Sequence, residues 1–472
     1  MAIVAVLAEV LGEHAGGDLL AAIAGNIIGK GQAVPGPFGP HPMIYADFVA
    51  SGRPLQQVEA FIATHVLPWY SNTHTEGSHC GAVMSDLRRQ ARALIKQEMG
   101  AGEDVALIFA GNGATAGLNK LVALLDVGPD TTVLIGPYEH HSNILPWRES
   151  GAQVIEVPEA AEGGPDLDWL EATLRSRSGR VIGAFSAASN TTGILTDTDS
   201  VTQLLKRHDA LAVWDYACAA PYVRIDMGTG AAAKDAIVLS PHKFVGGPGA
   251  SGVLALRKSC IRRQKPSAPG GGTVRFVSPW DVVYSDDPVA REEAGTPNVI
   301  GDIRAGLAFA VKAAVGAETI QQRNAALARR GFDAWQHTKG LTLLGHPEAK
   351  RLPIFSFTVT SEDGETVHPQ LVTRLLSDLH GIQARGGCSC AGPYGHRLLD
   401  IDEDRSARMR DGILSGNEVE KPGWTRLNLS WTMSEAEVEL ILEAVQSLPA
   451  DAARVAPSYT IDRSTARARY SA

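Results

Sequence analysis

The amino-acid sequence predicts an α/β fold, in which a large domain on a mostly parallel seven-stranded sheet is joined to a smaller α+β domain. Three observations predict it. Seven short apolar runs fall at 105–110, 132–135, 154–157, 181–185, 211–215, 236–239 and 252–256. Amphipathic stretches at 85–98, 116–125, 168–177 and 200–207 separate most of them, and strand alternating with helix at this spacing gives parallel strands covered on both faces. Beyond about residue 303 the pattern changes: helical to 335, a strand at 354–359, a helix at 370–380 and a closing helix at 435–448.

Taken in chain order, residues 1–40 read as an N-terminal extension ending in a Pro/Gly-rich linker. Residues 1–8 are apolar but lack a preceding basic region and are too short to span a bilayer, so they predict the first turns of a helix rather than a signal peptide. Residues 60–302 form the large domain, and 41–59 with 303–472 the small one. The length of 472 residues fits two or three domain-sized units. A composition 44% hydrophobic and 20% charged is that of a water-soluble globule with a large core. A net charge of -9 without a dense Lys/Arg run argues against nucleic acid as a partner, and no membrane association is expected.

Five cysteines, at 80, 218, 260, 388 and 390, are too few and too scattered for a disulfide framework, so a reducing cytoplasm is expected. Cys388 and Cys390 stand close together in Arg385-Gly386-Gly387-Cys388-Ser389-Cys390-Ala391-Gly392-Pro393. A C-x-C pair can be half of a metal site, but no second Cys/His pair at matching spacing accompanies it, and no metal is expected.

Ligands of a parallel α/β sheet sit beyond the carboxyl ends of its strands, and several such ends carry polar groups. The turn through Gly111, Gly113, Ala114 and Thr115 joins a strand to a helix. It is either a plain tight turn or an anion site of backbone N–H groups and the Thr115 hydroxyl. Asp215 ends the run Leu211-Ala212-Val213-Trp214; it is an ordinary capping carboxylate or the partner of a protonated ring nitrogen. Lys243 follows Ser240-Pro241-His242 just past a buried strand, in a Gly-rich loop. Desolvation there would lower its pKa, as an imine-forming amine needs. Asn190 ends another strand, and His140 offers an imidazole that is either structural or able to stack on a flat ring.

In this order, phosphate turn, His, Asn, Asp and Lys, the sequence resembles the fold-type-I pyridoxal 5'-phosphate (PLP) enzymes of the class V aminotransferase family, and particularly the cysteine desulfurases. The resemblance runs from about residue 45 to the last helix. It implies that Lys243 carries PLP as a Schiff base, and that Ala114, Thr115, His140, Asn190, Asp215, Ser240 and His242 contact the cofactor. The family's Glu-Ala-Gly-Thr-Pro-Asn motif is intact at 293–298. In the family its Thr reaches the neighbouring subunit's cofactor phosphate, so Thr296 implies a homodimer. Gly270-Gly271-Gly272 also matches a family glycine run.

The desulfurase loop Arg-x-Gly-His-His-Cys-Ala-x-Pro aligns Cys390 with the sulfur-accepting nucleophile, with Arg385 at its start and Cys388 at a family His position. A Cys next to Arg385 is placed to be partly thiolate. Arg426 matches the Arg that clamps the substrate α-carboxylate, a role suited to its fork of donors. The implied activity removes sulfur from L-cysteine through an enzyme persulfide, with Lys243, Cys390 and His140 catalytic, Arg426, Arg385 and Asn190 on the substrate, and a sulfur-acceptor protein as a further partner. Transamination, epimerisation or β-elimination on another amino acid is the alternative, and a non-catalytic sulfur-relay scaffold a third.

Four departures from the family pattern bear on the reaction. Asp215-Tyr216-Ala217-Cys218 replaces Asp-Gly-Ala-Gln, Tyr222 replaces a His, and Thr75 stands where the desulfurases carry an Arg after His74. The segment 394–425 is longer than the family's, and its charges at 400–405 read as a solvated loop.

Overall fold

The structure, a computed structural model, describes residues 3, 11–12, 18–73 and 75–471. The helix expected over residues 1–8, Ile3 apart, and His74 lie outside them. The chain divides into two compact units. One holds the described residues up to Ile28, Ser51–Ala187 and Thr196–Ile320; the other holds Gly29–Ala50, Ala188–Leu195 and the chain from Gln321.

In the first unit, all seven expected strands form one sheet: β1 (Val105–Phe109), β2 (Thr131–Ile135), β3 (Gln153–Glu156), β4 (Arg180–Ser186), β5 (Leu211–Asp215), β6 (Ala236–Leu239) and β7 (Val253–Arg257). Their order is β1-β7-β6-β5-β4-β2-β3. Strands β3, β2, β4, β5 and β6 pair in parallel, while β7 runs antiparallel to both β6 and β1. Six strands therefore point the same way, and their carboxyl ends line one edge. The α/β class and the mostly parallel seven-stranded sheet are as the sequence predicts.

Ile108, Val133, Ile182, Val213, Val238 and Leu254, one from each of six strands, belong to one buried cluster that also takes Leu118 and Leu121 from a covering helix. That is why these strands read as continuous apolar runs instead of alternating ones.

Among the helices of this unit are α1 (His79–Glu98), α2 (Gly113–Leu124), α3 (Leu167–Ser176) and α4 (Thr198–Arg207). Side-chain caps start three of them: the oxygens of Ser78, Asp166 and Asp197 accept first-turn N–H groups. The Ser78 cap lets α1 begin six residues before the amphipathic pattern suggests. A hairpin, β8 (Val274–Val277) with β9 (Val282–Tyr284), stands out with Phe276, Val277, Val282 and Val283 exposed and Trp280 90% exposed at its tip. The expected continuous helix over 303–335 is two, α5 (Val299–Val315) and α6 (Ala317–Trp335). The break is Gly316, at φ 86°, a conformation that stops α5 and that only glycine adopts readily.

The second unit carries a five-stranded sheet of β10 (Leu341–Leu343), β11 (Ile354–Thr360), β12 (Thr366–Val367), β13 (Arg385–Gly387) and β14 (Trp424–Asn428). Every pairing is antiparallel, with β14 between β11 and β13. Helices α7 (Pro369–His380), α8 (Gly392–Leu398), α9 (Glu403–Leu414) and α10 (Glu435–Val455) complete it. The 400–405 charge run, expected as a loop, mostly builds α9. Asp402 caps it through the Arg405 N–H, and Glu403 and Asp404 occupy the first turn, where negative charge complements the helix dipole. Among the described residues no helix is long and apolar enough to cross a membrane.

Candidate functional site

Lys243 lies in a single helical turn, Pro241–Lys243, directly after β6, with its N–H bonded to Ser240 O at 2.9 Å. Residue 52 backs this turn: Gly52 N donates to His242 O at 3.0 Å. A Cβ at Gly52 would stand 1.8 Å from Phe244 O, so only glycine permits this contact. Asp215, at the end of β5, is buried and accepts the Ala217 N–H at 2.7 Å. Burial lifts its pKa above the ordinary carboxylate value, opposed by that N–H and by the charge of Lys243. Burial and the same charge push His242 down to about 4, so its imidazole is neutral at pH 7.

The turn after β1 closes against the Lys243 segment. Ala114 N donates to Ser240 Oγ at 2.9 Å, and a Cβ at Gly113 would meet His242 Cε1 at 2.8 Å. Thr115 Oγ1 lies 2.7 Å from Ser142 Oγ, which lies 3.0 Å from His140 Nδ1. Nδ1 also accepts the Ser142 N–H at 3.1 Å, which puts the proton of a neutral ring on Nε2. Ala114, Thr115, His140, Asp215, Ser240, His242 and Lys243 thus follow four of the six aligned strand ends. Thr296 is exposed and accepts from Asn72 Nδ2 at 3.4 Å.

Two carboxyls of this unit had no role assigned from sequence. Glu139 is buried beside His140, and its oxygens accept Ser186 N at 2.7 Å, Ser186 Oγ at 2.7 Å and Asn143 Nδ2 at 2.5 Å. Burial pushes its pKa up to about 8, with a smaller upward push from Asp215. Glu293 opens the segment that carries Thr296. It accepts from both Arg92 terminal nitrogens at 2.8 and 2.9 Å, from Phe109 N at 2.7 Å, and from Arg88. The segment is thereby fixed to α1 and to the end of β1.

In the second unit, Arg385 and Arg426 sit opposite each other on β13 and β14. Two like charges across a strand pair repel, and Asp47 bridges them: Oδ2 takes Arg385 Nε at 3.0 Å, and Oδ1 takes Arg426 Nη2 at 3.0 Å. Arg426 is 3% exposed; Nη1 donates to Asn190 O at 2.9 Å, and Nε has no partner among the described residues. The Asn190 side chain donates to Ser389 O at 2.8 Å, while its own Oδ1 is buried and unpartnered. Ser389 lies between Cys388, half-buried, and Cys390, exposed. Asp47, Arg385, Arg426, Asn190 and the cysteine segment thus form one connected set. Asp47 is the member that no sequence pattern marks, because its partners lie more than 330 positions away.

All five cysteines are free thiols, and no group of three or more His, Cys, Asp or Glu among the described residues is arranged to hold a metal ion.

Residues 44–439 match the family described as Aminotransferase class-V, and the chain belongs to that family, whose members are PLP-dependent enzymes. The chain is similar to a probable cysteine desulfurase of Halalkalibacterium halodurans, 29% identical over 368 residues that make up 76% of this chain and 86% of that one. Similarity to a probable cysteine desulfurase of Staphylococcus aureus is 27% over 362 residues, 74% and 84% of the two chains. Among solved structures, the apo cysteine desulfurase of Thermococcus onnurineus superimposes with a TM-score of 0.71 at 24% identity, covering 87% of this chain and 95% of that one. A cysteine desulfurase of Escherichia coli gives 0.68 at 23%, covering 86% and 94%. At those identities the two structures bear on the fold alone, and they match the α/β architecture described above.

Proposed function

We propose that this enzyme is a PLP-dependent cysteine desulfurase-like lyase that takes the sulfur of L-cysteine onto Cys390 and leaves alanine. The observation that carries the reading is Cys390 itself. It is an exposed thiol whose neighbour, Ser389, is tied to Asn190, the residue whose carbonyl also holds Arg426. The names of the similar proteins support the same reaction.

The residues of the first unit suit the cofactor. The chemistry of the donor set supports this: a buried carboxylate, an amine in its electrostatic reach, and a glycine turn whose backbone only glycine can bring so close. Asp215 would hold the protonated ring nitrogen, Ala114, Thr115, Ser240 and His242 the phosphate side, His140 the ring face, and Lys243 the carbonyl carbon. PLP, when bound, supplies a sink for the electrons released at the substrate Cα. Lys243 Nζ takes the Cα proton and later returns it. Arg426 binds the α-carboxylate, its free Nε offering one prong of a bidentate grip. Arg385 adds positive charge, and Asn190 positions both Arg426 and the thiol. Cys390 Sγ forms a bond to the substrate sulfur as the Cβ–S bond breaks, giving a persulfide on Cys390.

We further propose a homodimer, supported by the exposed Thr296 and by the apolar hairpin around Trp280, a patch of the kind that marks an interaction surface. A protein thiol accepting the sulfur, in a reducing cytoplasm, fits the absence of disulfides.

A second class V reaction on another amino acid is favoured by one observation. Cys218, which is buried, stands where the resembling enzymes carry a glutamine. Product analysis with L-cysteine decides: alanine with sulfide or persulfide is expected, and Cys390→Ser abolishes it. Full activity in that variant would remove Cys390 from the mechanism.

A further inference from the structure

We infer that Cys388 is a resolving thiol that discharges the Cys390 persulfide as sulfide, an inference that rests on the desulfurase reading above. Its basis is the geometry of the turn between the two cysteines. Ala391 N donates to Cys388 O at 3.1 Å, closing a β-turn whose central residues, Ser389 and Cys390, have φ of 52° and 55°. Two consecutive positive φ values are the mark of a type I′ turn, normally built from Gly and Asn. With side chains here, the conformation costs about 1–2 kcal/mol per residue. It is held by the turn hydrogen bond and by the Asn190 amide on Ser389 O.

The turn folds the chain back sharply. The first and third Cα atoms of such a turn lie about 5.5 Å apart, inside the span of about 4.4–6.8 Å that a disulfide bridges. Cys390 is exposed and Cys388 half-buried, so Cys390 is the more accessible of the two thiols to an incoming sulfur. A plain packing role does not account for Cys388, since neither cysteine belongs to the buried core.

The chemistry is a thiol exchange. The Cys388 thiolate attacks Sγ of the Cys390 persulfide; the Cys388–Cys390 bond forms as the bond to the terminal sulfur breaks. The terminal sulfur leaves as hydrosulfide and collects the proton that Cys388 gave up. That sulfur is reduced to the sulfide level, and the two cysteines are oxidised to a disulfide, so the electrons balance. A further turnover requires an external dithiol to reduce the disulfide. Sulfide release is thus coupled to the supply of reducing equivalents.

The test uses the PLP-loaded enzyme with stoichiometric L-cysteine, no added reductant and rapid alkylation. Trypsin places both cysteines on one peptide, between Arg385 and Arg397. Wild type is expected to release about one sulfide per alanine and to yield that peptide lighter by two hydrogens, with no added sulfur. In Cys388→Ser the peptide keeps one added sulfur on Cys390, and sulfide per alanine falls to near zero. Alanine formed while the wild-type peptide keeps the added sulfur overturns the inference and leaves the desulfurase reading standing. So does sulfide release from Cys388→Ser equal to wild type. Absence of alanine from both proteins is a different result, and it removes the desulfurase reading and this inference together. The wild-type peptide mass decides the matter even where the variant folds poorly.

Discussion

The side-chain amide of Asn190 donates to the backbone carbonyl of Ser389 at 2.8 Å, so the cysteine turn is tethered by the residue whose own carbonyl receives Arg426. The proposed carboxylate grip and the proposed sulfur-accepting thiol therefore share one anchor. A buried hydrogen bond of this kind contributes about 1 kcal/mol, and here it also holds two residues at positive φ. Asn190→Ala is expected to slow sulfur transfer to Cys390 about fivefold or more. Single-turnover persulfide formation measures this, and an unchanged rate would show that the turn holds without its tether.

Asp47 offers the two arginines a carboxylate before any substrate arrives. A substrate α-carboxylate gripping Arg426 by Nε and Nη2 must compete with Asp47 Oδ1 for the second nitrogen. Asp47→Asn weakens the competitor and leaves both arginine charges uncompensated. The KM for L-cysteine should fall severalfold, while stability drops by about 1–3 kcal/mol because Arg426 loses its buried counter-charge. Steady-state kinetics and urea unfolding read the two effects separately. A raised KM would mean that Asp47 orients Arg426 more than it competes.

Glu139 ties stability to pH. Its folded pKa, about 8, lies above the ordinary 4.5, so between these values the native state keeps a proton that the unfolded chain has lost. The stabilisation is full below about pH 4.5, declines as pH rises, and is gone above about pH 8. Glu139→Gln removes the titration, and its melting temperature should fall less steeply than that of wild type between about pH 5 and about pH 8. Parallel profiles would place the titration elsewhere.

Glu293 compensates Arg88 and Arg92 in a partly buried cluster, Arg88 being shared with Asp302. Removing one partner from such a network leaves uncompensated charge, at a cost of about 3–5 kcal/mol when burial is complete. Glu293→Ala should lower the unfolding free energy, measured in urea, by about 3 kcal/mol, given the Asp302 contact. The neighbouring segment should also loosen, seen as faster proteolysis around Thr296. Loss of stability without new cleavage there would separate the two roles.

The sheet was legible because its strands are buried on both faces: runs such as Leu211–Asp215 and Ala236–Leu239 coincide with the strands observed. The strand-end residues were legible by their position. Asp47, Glu139 and Glu293 were not, because each acts through partners set by the tertiary fold. Asp47 and Arg426 are 379 positions apart, and no local pattern records such a pairing. Helix α9 escaped notice for a different reason. A cluster of charges resembles a solvated loop until Asp402 is seen to cap the turn that follows it.

Strand β7 lies between the first strand of the sheet and the sixth, and it is the last of the seven to be synthesised. Among the described residues, strand β1 pairs with β7 alone, so it stays without that partner until residues 253–257 leave the ribosome. At about 5–20 residues per second, that wait is roughly 7–30 s for the intervening stretch. The turn after β1, whose Gly111 O accepts the Gly252 N–H, is completed only then, which makes the proposed phosphate site a late arrival in the life of the nascent chain.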